Sequence, residues 1–159
     1  MMANPEPFHM RRKEKEITDR AALDKVIANA KLCHVAMVDD GQPYVVPVTF
    51  GYGNNAIYFH SAAEGRKIRI IRTNSRVCFN LVGDAQPVNI GVRCTVKYCS
   101  VTGDGMAHIV EDETEKMNGF KLIVKQNLDH ELDIGPERLN NTLVIKIDIL
   151  DIRGKQSGF

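Results

Sequence analysis

The spacing of apolar positions changes once near the start of the chain and then holds its new period. In "ITDRAALDKVIANAK", Leu23, Val26, Ile27 and Ala30 fall at i, i+3, i+4 and i+7, one face of a helix, with Thr18 or Asp19 as its N-cap. From Leu32 the period is two. "LCHVAMV" predicts a strand, "DDGQP" a turn, "YVVPVTFGY" a second strand, "GNN" a turn, and "AIYFH" a third strand. Pro47 has no N–H for a ladder, so its place is an edge, a bulge or a position facing a ligand. A short helix spans Arg66 to Arg72, followed by "RVCFNLV" as a fourth strand and "GDAQPVNIGVR" as a loop. "CTVKYCSVTGDGMAHIV" reads as one long strand or two, bent at Gly103 and Gly105. Asp112 and Glu115 resemble a capping box opening a helix over "ETEKMNGFKLIVKQNL", interrupted at Gly119. "DHELDIGPERLNN" is polar and irregular, and "TLVIKIDILDI" is the last strand.

Six or seven strands with two or three peripheral helices predict a mainly β protein, a closed or partly closed antiparallel barrel. The strands do not alternate with crossover helices, which argues against a doubly wound parallel sheet. Residues 1–11 read as a flexible N-terminal segment and 12–159 as a single domain.

Composition narrows the function classes. With 43% hydrophobic and 26% charged residues and a net charge of +1, nothing global favours nucleic acid or an anionic membrane. Any anion site must therefore be local. No run approaches the roughly 20 apolar residues of a spanning helix. The N-terminus lacks an apolar stretch followed by a small-residue cleavage site, so a cytoplasmic location is expected. Cys33, Cys78, Cys94 and Cys99 form no C-x-x-C pair and are expected as buried, reduced thiols. The histidines at 9, 34, 60, 108 and 130 do not pair at metal spacing, and no metal site is expected. Asp24, Asp39 and the run Glu111 to Glu115 are read as solvated or capping.

The stretch "YFHSAAEGRKIRII" places Arg66 and Lys67 in the first turn of a helix, where the peptide dipoles are already positive. A solvated basic face, with Ile68 and Ile71 packed inward, is one reading. The other is a phosphate site, in which Gly65 opens the backbone amides, Ser61 gives a hydroxyl, and the bound anion offsets the charge conflict. The pattern suits a phosphate monoester, because neither G-x-G-x-x-G after a strand nor G-x-x-x-x-G-K-[ST] occurs.

The combination P-V-x-F-x-Y, Y-F-H-S-A and G-R-K, within "GQPYVVPVTFGYGNNAIYFHSAAEGRKIRIIRTNSRVCFNL", resembles the pyridoxamine-phosphate-oxidase-like split-barrel flavoproteins. It is most similar to their nitroimidazole-resistance (Nim-type) subgroup. "MRRKEKEI", "VKYCSVTGDGMAHIVED" and "IKIDILDIRGKQSG" fit the same subgroup. The resemblance implies a six-stranded FMN-binding split barrel that forms a homodimer with FMN at the subunit interface. It implies that Arg66 and Lys67 grip the FMN phosphate. The ring system would lie along Val46, Pro47, Val48, Thr49 and Phe50 and along Tyr58, Phe59, His60 and Ser61. Lys97, Tyr98 and Ser100 would reach it from the partner chain, and His60 would be the catalytic residue.

Read by themselves, these residues say less. Thr49 can offer a hydroxyl to ring heteroatoms. A histidine at a strand end can pass a proton near neutral pH, or simply bond to backbone. Lys97 and Tyr98 are equally ordinary wall residues, and His34 and His108 are read as structural. The ending "DIRGKQSGF" lacks the Arg-x-His segment of pyridoxamine-phosphate oxidases proper. The expectation is therefore an FMN-dependent oxidoreductase acting on a small organic acceptor such as a nitroaromatic. The alternatives are a non-catalytic flavin- or tetrapyrrole-binding, redox-responsive protein and an oxidase of pyridoxamine phosphate.

Overall fold

Local signals decide the first elements of the structure, a computed structural model that describes residues 10–128 and 135–158. After one 3-10 turn (Lys13–Lys15) and a two-residue strand, β1 (Glu16–Ile17), Asp19 accepts from the Ala22 N–H at 2.8 Å and caps α1 (Arg20–Asn29). Leu23, Val26, Ile27 and Ala30 are buried, as their spacing requires. Of the expected flexible segment, only Met10 and Arg11 fall among the described residues, and most of the irregular stretch after Leu128 lies outside them.

Strands β2 (Cys33–Asp39) and β3 (Gln42–Val48) are joined by Asp40 and Gly41 at φ 48° and 79°. Strands β4 (Gly51–Gly53) and β5 (Ala56–Ala62) are joined by Asn54 and Asn55 at φ 54° and 57°. Both are two-residue turns whose left-handed backbone matches strand twist, and Asn, Asp and Gly tolerate it. Then follow α2 (Arg66–Thr73), β6 (Arg76–Ile90), β7 (Arg93–Ile109), α3 (Glu113–Asn127), a 3-10 turn (Pro136–Leu139) and β8 (Thr142–Ser157).

Two expectations fail here. The stretch 83–93, expected as a loop, is mostly strand: β6 runs on to Ile90 and β7 returns from Arg93. Past Leu81, β6 no longer pairs with β2 and keeps only β7 as neighbour, a place where Pro87 is tolerated. Gly119 does not interrupt α3, which runs unbroken behind its Asp112 cap. The expected irregularity in β7 is present as a register shift between Asp104 and Gly105.

Every ladder is antiparallel, and the pairing order is β3-β2-β6-β7-β8-β5-β4, with β1 added to β8. β3 and β4 end that path on opposite sides, yet only Thr49 and Phe50 separate them in the chain. Two residues span too little to join the edges of an open sheet, so the sheet must curl until its edges meet. Counted as one strand broken at Thr49–Phe50, β3 and β4 complete a six-stranded barrel with β2, β5, β6, β7 and β8.

Phe50, Ile57, Phe59, Phe79, Leu81, Ile145 and Ile147 fill the interior, together with buried residues of α1 and α2. A second cluster, Ala56, Tyr58, Val110, Ile123 and Val144, lies outside the wall and seats α3. A Cβ at Gly119 would come within 2.6 Å of the Tyr58 ring, and one at Gly51 would overlap the Leu122–Ile123 backbone. Among the described residues no helix is long and apolar enough to cross a membrane.

Candidate anion-binding site

Ser61 lies one residue before the end of β5, on the strand face it shares with Ile57 and Phe59, toward the barrel interior. It is 5% exposed, and its Oγ has no hydrogen-bond partner among the described residues. A buried hydroxyl left unpaired costs about 1–3 kcal/mol, so the position calls for a partner that no described residue supplies.

Four residues further on, Gly65 takes φ +128°, a backbone conformation that side chains rarely allow, although a Cβ there would touch nothing. The glycine therefore serves the turn. Gly65 is the N-cap of α2 and offers no side-chain cap. Glu64, one residue earlier, makes no capping bond either. The first helical backbone bond runs from the Arg69 N–H to the Gly65 carbonyl at 3.1 Å, which leaves the amides of Arg66, Lys67 and Ile68 outside the ladder. Burial of Ile68, Ile70 and Ile71 anchors the helix and turns its cations outward. A shallow groove of about 440 Å³ follows this helix, lined by Gly65, Ile68, Arg69 and Arg72 among others.

Asp39 was expected as a solvated turn residue, but the structure makes it the acid of this site. Its Oδ2 accepts from Arg66 Nε at 2.8 Å and from Arg69 Nη2 at 2.7 Å, and its Oδ1 accepts from Arg69 Nη1 at 2.8 Å. The hydrogen bonds from Arg69, and next those from Arg66, hold the Asp39 carboxyl below the usual carboxylate range. The Arg66 guanidinium also lies over the Tyr44 ring, 4.5 Å from its centroid.

The other expected site residues divide by position. On β3, an edge in the pairing order, Val46 and Val48 are half-buried toward the core, while Pro47 and the adjoining Thr49 are exposed. The side chains of Phe50, Tyr58 and Phe59 are buried, so only their backbones are open to a ligand. His60 is exposed, but it points to the α3 side of β5, its ring 5.9 Å from that of Phe120. It does not share a face with Ser61. Lys97, Tyr98 and Ser100 are more remote. Ser61 pairs with Leu143 on β8, whereas Ser100 pairs with Lys155, twelve residues along, up to about 40 Å on an extended strand. Within one chain they do not meet.

Cys33 is buried, Cys78 and Cys99 half-buried, and Cys94 exposed, which corrects the expectation of four buried thiols. Among the described residues no cluster of His, Cys, Asp or Glu is suited to a metal.

The profile of the pyridoxamine 5'-phosphate oxidase family matches residues 19–156. The chain belongs to that family. A candidate 5-nitroimidazole antibiotic resistance protein from Bacteroides thetaiotaomicron has a similar structure, with TM-score 0.80 and 28% identity over 89% of this chain and 86% of that one. This agrees with the Nim-type resemblance read from the motifs. A flavocytochrome from Azotobacter vinelandii shares the fold at TM-score 0.77 and 17% identity, over 98% of this chain and 75% of its own. An uncharacterized protein of Rhizobium meliloti (strain 1021) is 32% identical over 65 residues, 41% of this chain and 42% of the relative. That match thus spans under half of the curated relative's length.

The family fold is the split barrel described above. The strand signals and the G-R-K turn of this family member were legible in the sequence. The Asp39–Arg66–Arg69 cluster was not, because its partners stand 27 and 30 residues apart and meet only in the folded chain.

Proposed function

We propose that the chain is a flavoprotein that binds FMN through its phosphate and acts as an oxidoreductase on a small organic acceptor, a nitroaromatic being the favoured class. The observation that carries this is the buried Ser61 hydroxyl, without a partner among the described residues, four positions before the uncapped N-terminus of α2. A phosphate monoester fits what is there. Its oxygens accept from Ser61 Oγ, from free helix amides, and from the terminal nitrogens of Arg66 and the ammonium of Lys67. Bound FMN would supply reversible two-electron chemistry.

The exposed edge at Pro47 and Thr49 offers the ring system a surface. Lys97, Tyr98 and Ser100 lie too far along the barrel to serve the same ligand within one chain, which supports a homodimer with the flavin between subunits. The His60 side chain makes no hydrogen bond among the described residues and is free to pass a proton to a reduced acceptor. The family match and the likeness to a candidate nitroimidazole-resistance protein support the reaction class.

The test is the visible spectrum of the purified chain, repeated after adding FMN and desalting. About one FMN per chain is expected, followed by flavin reduction with a nicotinamide donor and reoxidation by a nitro compound. A colourless chain that also refuses added FMN overturns the reading. Retained flavin that no nitro compound reoxidises leaves a flavin carrier. Arg66→Ala with Lys67→Ala is expected to remove most FMN affinity, at about tenfold or more per lost charge-assisted contact.

A further inference from the structure

Three features of the β2–β3 hairpin converge on Arg66. Asp39 is the last residue of β2, held by the two-residue turn that follows it. It is mostly covered, with 13% of its side chain exposed against 45% for Arg66. Its carboxylate takes only Nε of Arg66, and both oxygens also accept from the fork of Arg69. Tyr44, on the returning strand, lies under the guanidinium plane. Arg66 is therefore fixed on one edge and one face. Its two terminal nitrogens hydrogen-bond to no described residue.

A guanidinium binds phosphate best as a pre-oriented fork, because ordering a long side chain at the moment of binding subtracts from affinity. We propose that Asp39, with Tyr44, is the positioning pair that holds Arg66 with its terminal nitrogens turned toward the flavin phosphate. This rests on the reading above and deepens it: the hairpin tip, some 27 residues before the G-R-K turn, takes part in phosphate recognition.

The arrangement also sets the local charge. Arg66, Lys67 and Arg69 outweigh Asp39 and Glu64 by one positive charge, the sign that attracts a phosphate monoester, which carries about −1.5 to −2 at neutral pH. A carboxylate beside an anion site would ordinarily weaken binding. Here all three of its hydrogen bonds come from guanidinium groups, so its charge is screened and its ordering effect prevails.

The experiment compares the affinities of FMN and riboflavin, the same ring system without phosphate, by flavin-fluorescence titration. The chains compared are wild type, Asp39→Ala, Tyr44→Leu, Arg66→Ala and the double variant Asp39→Ala with Arg66→Ala. Asp39→Ala and Tyr44→Leu are each expected to weaken FMN about tenfold, the size of one degraded charge-assisted contact, and to leave riboflavin unchanged. The Asp39→Ala loss is expected to vanish in the Arg66→Ala background. Unchanged or tighter FMN binding in Asp39→Ala overturns the proposal while leaving the flavin reading in place. A loss that is equal for riboflavin, or that persists without Arg66, also overturns it, since that is the signature of general structural damage. A wild-type chain that binds neither ligand overturns both readings.

Discussion

The Ser61 hydroxyl is where local sequence and ligand chemistry meet. It is buried without a partner among the described residues, so removing it has opposite consequences in the free and bound states. Ser61→Ala is expected to leave the flavin-free chain as stable as before, or slightly more so, and to weaken FMN about tenfold. Thermal melts without flavin and a fluorescence titration check the two halves. Asp39 gives a pH dependence of definite sign. Its folded carboxyl sits below its ordinary range, so its stabilising effect is complete above about pH 4 and is lost as pH falls through the lowered value. Asp39→Asn is expected to flatten that part of the acid-unfolding curve relative to wild type. Thiol reactivity is also decided residue by residue. Burial pushes the Cys33 thiol up to about 12, whereas Cys94 is open to solvent. Labelling at pH 8 is expected to modify Cys94 quickly and Cys33 only after unfolding, as read by peptide mass analysis.

At the scale of elements, α3 is held by close approach more than by its own sequence. A glycine inside a helix is ordinarily improved by alanine, by about 1 kcal/mol. At Gly119 the new Cβ would press on the buried Tyr58 ring, and overpacking of that kind costs about 1–3 kcal/mol. The clash wins, so Gly119→Ala is expected to lower the melting temperature. Gly51→Ala should lower it further, because its clash is with backbone. The period-two and i, i+3, i+4 patterns found the strands and helices here; Asp112 marked the start of α3, and of the two candidates Thr18 and Asp19 it is Asp19 that caps α1. The same reading misjudged Gly119 and the stretch 83–93. Glycine and proline look alike whether they end an element or let two elements touch, and only the neighbouring element distinguishes the two.

The whole molecule is a barrel closed by a bend at Thr49–Phe50, with its candidate site where β5 hands over to α2 and the β2–β3 hairpin folds across. If Lys97, Tyr98 and Ser100 serve that site from a second copy, the flavin-loaded chain should sediment at about twice its 17.8 kDa. A monomer carrying full flavin would remove those residues from the site. The sequence alone determined what depends on near neighbours: strand and helix periods, the two hairpin turns, the helix caps, and the G-R-K turn with its cations in the first turn of a helix. The family followed from motifs written in those same stretches. Only the tertiary structure decided that β3 and β4 close the wall, that the Ser61 hydroxyl meets no partner among the described residues, and that Asp39 holds Arg66. These depend on groups tens of residues apart, and their contact is set by how the whole sheet curls, which no local pattern encodes.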